Sequence, residues 1–134
     1  MTYYEIIKLE EDGEIELPSE SAYDIGASKG AYFLLEISPE VREARLERVA
    51  MPGKELVEFE LIMKNEPGAL SNISGRFANH NVNIMFNETE EVNSEQGILI
   101  TVIDVSQMDT SLESLKKEIS ASEDVIDVSV KELD

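Results

Sequence analysis

An α+β fold in two parts is what this chain's residue pattern predicts: a small, mostly-β first half, then a four-stranded antiparallel sheet carrying two helices. Three observations predict it. Val57, Phe59, Leu61 and Met63 alternate with Glu58, Glu60 and Ile62, the period of a half-buried strand. Beyond that strand the apolar spacing switches from strand-like to helical and back twice, which gives the order βαββαβ. Before it, "MPGKE" at residues 51–55 puts Pro-Gly and a charged pair between two apolar stretches and reads as a linker. The expected division is residues 1–50, a linker at 51–55, and a second domain at 56–134.

In the first half, Tyr3–Leu9 reads as a strand, "EEDG" as a hairpin turn and Glu14–Leu17 as the returning strand, closed by Pro18. A short helical turn over Ser19–Asp24 and an apolar strand at Ala31–Ile37 follow. The stretch "SPEVREARLERVA" at 38–50 carries two signals. Ser38 with Pro39 looks like a helix start, whereas Ala44, Leu46 and Arg48 alternate as in a strand, so both readings stand.

In the second half, Leu56–Met63 is the first strand, ended by Pro67 and Gly68. Leu70, Ile73 and Phe77 follow at helical spacing, with Asn72 and Arg76 directed away, and "NHN" at 79–81 stops that helix. Val82–Phe86 reads as the second strand, "NSEQG" at 93–97 as a turn, and Ile98–Val105 as a strongly apolar third strand. Thr110 and Glu113 have capping-box spacing for a helix carrying Leu112, Leu115 and Ile119. Ile126, Val128 and Val130 mark the last strand. This order is that of a ferredoxin-like sandwich, with both helices on one face of the sheet.

Composition narrows the function. With 42% hydrophobic residues in 134, the chain can build a core. Eleven basic and 29 acidic residues give a net charge of −18, and residues 1–54 and the remainder are each acidic, so no basic module is hidden in the average. Such a field repels phosphate backbones, and nucleic acid is not an expected partner. No apolar run approaches the roughly 18 residues of a membrane span, and Met1–Leu9 has no signal-peptide pattern. The absence of cysteine removes disulfides and thiol chemistry. A cytoplasmic location is expected, with no membrane partner.

Chemistry-bearing motifs are sparse. His80 is the single histidine and sits in the "NHN" turn, where it reads as a surface loop residue. One histidine and no cysteine make no transition-metal set. The carboxylates of "NETEEVNSE" lack the mid-loop glycine of a calcium loop. No nucleophile elbow, phosphate loop or dinucleotide fingerprint is present. No catalytic residue, metal or cofactor is expected, and the chain does not read as an enzyme.

The stretch "NEPGALSNISGRFANHNVNI", with the later "EQGILITVIDV", resembles the ACT domain, a βαββαβ ligand-binding module attached to enzymes of amino-acid metabolism. The likeness covers Leu56 to about Leu133 and is greatest to the serine-sensing regulatory domains of phosphoglycerate dehydrogenases. There the motif runs Asn-x-Pro-Gly-x-Leu, with a second Asn further on; here the pair falls on Asn65 and Asn83. The resemblance implies ligand-binding residues Met63, Asn65, Glu66, Pro67, Gly68, Ala69, Leu70, Asn83 and Ile84, with the two asparagines holding a ligand across an interface between two subunits. Met63 stands where the serine-sensing domains have a histidine, which implies either a more apolar ligand or weak or absent binding. An Asn amide can serve either the ammonium or the carboxylate of an amino acid. Gly68 lets a ligand approach the main chain, and a helix N-terminus favours a carboxylate.

"GEIELPSESAYDIGASKGA", Gly13 to Ala31, is similar to the swapped-hairpin domain of AbrB-type transition-state regulators. Gly13, Ile15, Leu17, Pro18, Glu20, Gly26 and Gly30 keep the frame. Where those regulators place basic DNA-contacting residues, this chain has Glu14, Ser19, Ala22 and Asp24, so the likeness implies a dimerisation domain without the DNA surface.

Together these readings imply a regulatory protein of amino-acid metabolism that binds a small L-amino acid or related metabolite. Its expected partners are itself, as a homodimer or higher, and a separate metabolic enzyme or regulator. Two alternatives are an AbrB-like transcription regulator controlled by the ACT domain, and a pure oligomerisation module with no ligand.

Overall fold

The computed structural model describes residues 1–133; Asp134, the last residue of the expected second domain, lies outside the described residues. The chain divides into two compact units, with the break between Gly53 and Lys54.

The first unit contains helix α1 (Ser19–Asp24) and a hairpin of strands β1 (Tyr32–Ser38) and β2 (Glu43–Ala50). The ambiguous stretch 38–50 uses both of its signals. Pro39–Val41 form one 3₁₀ turn, Arg42 takes the left-handed conformation at φ 54°, and the alternating residues after it form β2. The expected strands at Tyr3–Leu9 and Glu14–Leu17 are not formed. The turn between them is closed by a hydrogen bond from the Glu14 N–H to the Glu11 carbonyl at 3.3 Å, but the two arms make no ladder. An isolated two-stranded ribbon is marginal in water, and these arms leave Tyr4, Ile6 and Ile15 exposed instead of burying a shared face. Ala50 is the only buried residue of this unit.

The second unit is a four-stranded antiparallel sheet made of β3 (Leu56–Lys64), β4 (Asn83–Glu91), β5 (Gln96–Asp104) and β6 (Val125–Leu133), in the spatial order β4-β5-β3-β6. Helices α2 (Ala69–Ala78) and α3 (Leu112–Ser120) pack on one face. This is the ferredoxin-like arrangement. Val57, Phe59, Leu61 and Met63 of β3 point to that face and meet Ile73 and Phe77 of α2 and Leu115 and Ile119 of α3. Phe59 and Phe77 pack edge to face, centroids 5.3 Å apart at 79°, the geometry that aligns a positive ring edge with a negative ring face.

Four local expectations are corrected. The apolar seam of α2 runs Ala69, Ile73, Phe77, and Leu70 is 41% exposed. The cap of α3 is Ser111, not Thr110: its Oγ accepts the Ser114 N–H at 3.1 Å. The second strand is longer than Val82–Phe86 and contains a bulge at Met85, since Ile84 pairs with Ile103 but Phe86 pairs with Val102. A second bulge lies in β6. There Ile62 pairs with Asp127 and Met63 with Val125, so Val125 turns toward the core and Ile126 is left outside. In both strands the extra residue shifts the alternation by one.

Two polar clusters fasten the end of the sheet where β4 begins and β5 finishes. Asp104, 3% exposed, accepts the N–H groups of Glu55 at 3.2 Å and Ser106 at 3.1 Å and lies 3.6 Å from Lys54 Nζ. Burial pushes its carboxyl up, but the Ser106 and Glu55 hydrogen bonds and the Lys54 charge outweigh burial and hold it below the usual range. His80 is tied more firmly than a surface loop residue: Nδ1 lies 2.9 Å from Asp109 and Nε2 3.0 Å from Glu118. Its carbonyl also accepts the Asp109 N–H. It therefore joins the turn after α2 to both the loop before α3 and α3 itself.

Two stability predictions come from this unit. Ile73→Ala should destabilise it by roughly 2–5 kcal/mol through cavity formation. Thr101 is 1% exposed, and its Oγ1 has no hydrogen-bond partner among the described residues, so Thr101→Val should stabilise by about 1 kcal/mol. Urea midpoints should move in opposite directions with little change in m-value. The His80 clamp adds a pH dependence. Hydrogen bonds from Asp109 and then Glu118 raise its pKa above 6.5 against a smaller opposing effect of burial. Its contribution is complete below the unfolded value of about 6.5 and is lost as pH rises through the raised folded value. The stability difference between wild type and His80→Gln should accordingly be larger near about pH 6 than near about pH 9.

Candidate ligand-binding groove

The turn from β3 into α2 is built by Pro67 and Gly68. Gly68 occupies the N-cap position at φ +85°, a conformation that penalises any Cβ, and no side chain caps the helix. Among the first-turn amides, Ala69 N–H bonds the Glu66 carbonyl and Asn72 N–H bonds the Gly68 carbonyl. The first turn holds no acidic residue, so no carboxylate of its own answers the positive end of the helix. A Cβ built on Gly68 meets nothing within 4 Å, so its surroundings are open.

A groove of about 300 Å³ lies beside this helix end. Of the residues singled out from sequence, Met63, Asn65, Glu66, Ala69 and Leu70 line it. Pro67 and Gly68 form the adjoining turn. Asn83 and Ile84 are elsewhere in the chain. Asn83 pairs with Asp104, while Met63 pairs with Gly97, at the opposite end of β5. About seven residues of strand at about 3.4 Å each put the two ends roughly 25 Å apart. One chain therefore does not bring Asn65 and Asn83 together.

The far wall comes from residues that the sequence did not mark: Thr89, Glu90 and Glu91 of β4, and Gly97 and Ile98 of β5. Gly97 is the one with a readable signal, a glycine entering an apolar strand. A Cβ there would stand 3.3 Å from the Glu90 carbonyl, so the close approach of β4 relies on glycine.

Asn65 divides the groove from a second depression of about 470 Å³ lined by Ser94, Glu95 and Ile126 among others. Its N–H donates to the Glu95 carbonyl at 2.9 Å, and its Nδ2 donates to the Asn93 carbonyl at a long 3.4 Å. Asn93 Oδ1 in turn accepts the N–H groups of Glu95 and Gln96. Asn65 thus ties the β3–α2 turn to the β4–β5 turn. The described residues include no cluster of three or more His, Cys, Asp or Glu arranged to hold a metal ion. No helix among them is long and apolar enough to cross a membrane.

An antiparallel βαββαβ sandwich with an open groove at its first strand–helix turn is the architecture of the ACT domains, a class with regulatory, ligand-binding roles. The particular family follows from direct comparison. The model of the AHAS small subunit-like ACT domain matches residues 59–127, and the chain belongs to that family. No curated protein matches it. Similar solved structures include the ACT domain of GTP pyrophosphokinase of Chlorobium tepidum, 14% identical, covering 58% of this chain and 99% of that one with a TM-score of 0.47. Another is the C-terminal domain of the MgtC protein from Mycobacterium tuberculosis, 16% identical, covering 60% and 89% with a TM-score of 0.48.

Gly68→Ala should lower stability by about 1 kcal/mol, because alanine is strained at φ +85° although nothing obstructs its methyl group. Chemical denaturation checks this, and it sets the stability baseline for any ligand effect seen at the same position.

Proposed function

We propose that this chain is a cytoplasmic regulatory protein of amino-acid metabolism that binds a small L-amino acid or related metabolite and acts on a separate metabolic enzyme or regulator. The observation that carries the reading is the uncapped N-terminus of α2 beside a groove of mixed lining, in which Met63, Ala69 and Leu70 stand with Lys64, Asn65 and Glu91. A carboxylate would meet free amides and the positive end of the helix there. Met63, Ala69 and Leu70 would surround the side chain. Its volume suits a molecule of amino-acid size.

Pairing of copies belongs to this reading. The first unit buries a single side chain and presents two arms that form no ladder, so a second copy would supply the core it lacks. Pairing also gives Asn83 a route to a ligand, since a second copy could present its Asn83 at the groove of the first. The AbrB-like and serine-sensing likenesses belong to the same proposal, with DNA binding disfavoured by Glu14, Ala22 and Asp24.

Calorimetry against the proteinogenic L-amino acids tests the reading, with sedimentation to give the oligomeric state. At least one amino acid should bind, and the protein should sediment as a dimer or larger at micromolar concentration. Asn65→Ala and Asn83→Ala should each weaken binding by about 1–3 kcal/mol. Asn83→Ala, which breaks no side-chain hydrogen bond among the described residues, should leave the melting temperature nearly unchanged. Binding unaffected by either change would make both asparagines structural.

A further inference from the structure

The groove offers one end to a carboxylate, and the strand register identifies what stands at the other; this step rests on the reading just given. The bulge at Met85 reverses the faces of β4 beyond it. Thr89 pairs with Leu99, which is 2% exposed in the core under the helices, and Glu91 pairs with Gly97, which itself pairs with Met63. Met63, Gly97 and Glu91 therefore form one row on the helix-covered face, at the end of the sheet where α2 begins. In the middle of that row Gly97 contributes no side chain, which leaves space between the Met63 thioether and the Glu91 carboxylate. Glu90 pairs with Ile98 in the neighbouring row, whose side chains lie on the opposite face.

We propose that Glu91 holds the ammonium group of the bound amino acid while the N-terminus of α2 holds its carboxylate. The Glu91 side chain is exposed and makes no hydrogen bond or ion pair with the described residues, so its carboxylate is available without breaking an internal contact. It lines the groove from the wall that faces the β3–α2 turn. An ammonium ion needs an anionic acceptor more than an amide, because charge-assisted hydrogen bonds are about twice as strong as neutral ones. Glu66 is the competing carboxylate. It sits in the turn itself, beside the amides assigned to the ligand's carboxylate, where its charge serves the wrong end of a zwitterion.

The full chain titrated calorimetrically with each proteinogenic L-amino acid tests the assignment, comparing wild type with Glu91→Gln, Glu90→Gln and Glu66→Gln. Every amino acid that binds wild type should bind Glu91→Gln about tenfold or more weakly, with no fall in melting temperature, while Glu90→Gln stays within about threefold of wild type. Glu91→Gln binding as tightly as wild type would overturn the assignment and leave the amino-acid reading standing. So would a loss carried by Glu66→Gln or Glu90→Gln instead. If no amino acid binds wild type, the functional reading and this assignment fall together.

Discussion

Strand β3 is the constraint on which the second unit depends. It lies between β5 and β6 and is paired with both along its length. Its inward residues Val57, Phe59, Leu61 and Met63 form the apolar ridge against which both helices condense. Because Met63 is the last of that ridge, the chain must leave the core immediately afterwards and turn back over the sheet. Pro67 and Gly68 make that turn, and the groove is the space left where the ridge ends and α2 begins. The candidate site is thus a consequence of how long the buried strand is.

The loops around the groove are held by backbone-directed polar contacts more than by burial. Asn65, Asn93 and the carbonyl of Glu95 form one chain of hydrogen bonds joining two turns. On the other side of the sheet end, Asn72 Nδ2 donates to Asp124 at 2.7 Å, and the Lys64 N–H donates to the Asp124 carbonyl at 2.8 Å. These contacts hold the β3–α2 turn from two directions.

The unit before Gly53 differs in kind. Its hairpin and short helix enclose almost nothing, and its large apolar residues are spread over the surface. A domain of that size buries too small a fraction of its surface to be stable on hydrophobic grounds alone. The expected strands at Tyr3–Leu9 and Glu14–Leu17 illustrate the reason. Their composition suits strands, but a strand exists only when a neighbour accepts its hydrogen bonds, and one chain supplies none.

The sequence by itself determined the βαββαβ order, the inward face of β3, and the turn at Pro67-Gly68, because periods of 2 and 3.6 and the φ freedom of glycine are local properties. It also marked the near wall of the groove from Met63 to Leu70. The tertiary structure alone decided that Asn65 and Asn83 stand at opposite ends of the sheet, that Ser111 caps α3, and that Ile126 is outside while Val125 is inside. It also decided the far wall. Continued alternation from Val82 and Ile84 would have turned Glu88 and Glu90 toward the helices, whereas the bulge at Met85 turns Thr89 and Glu91 there instead. A bulge is a mismatch in count between two paired strands, so the residues of one strand do not encode it until the other is beside them.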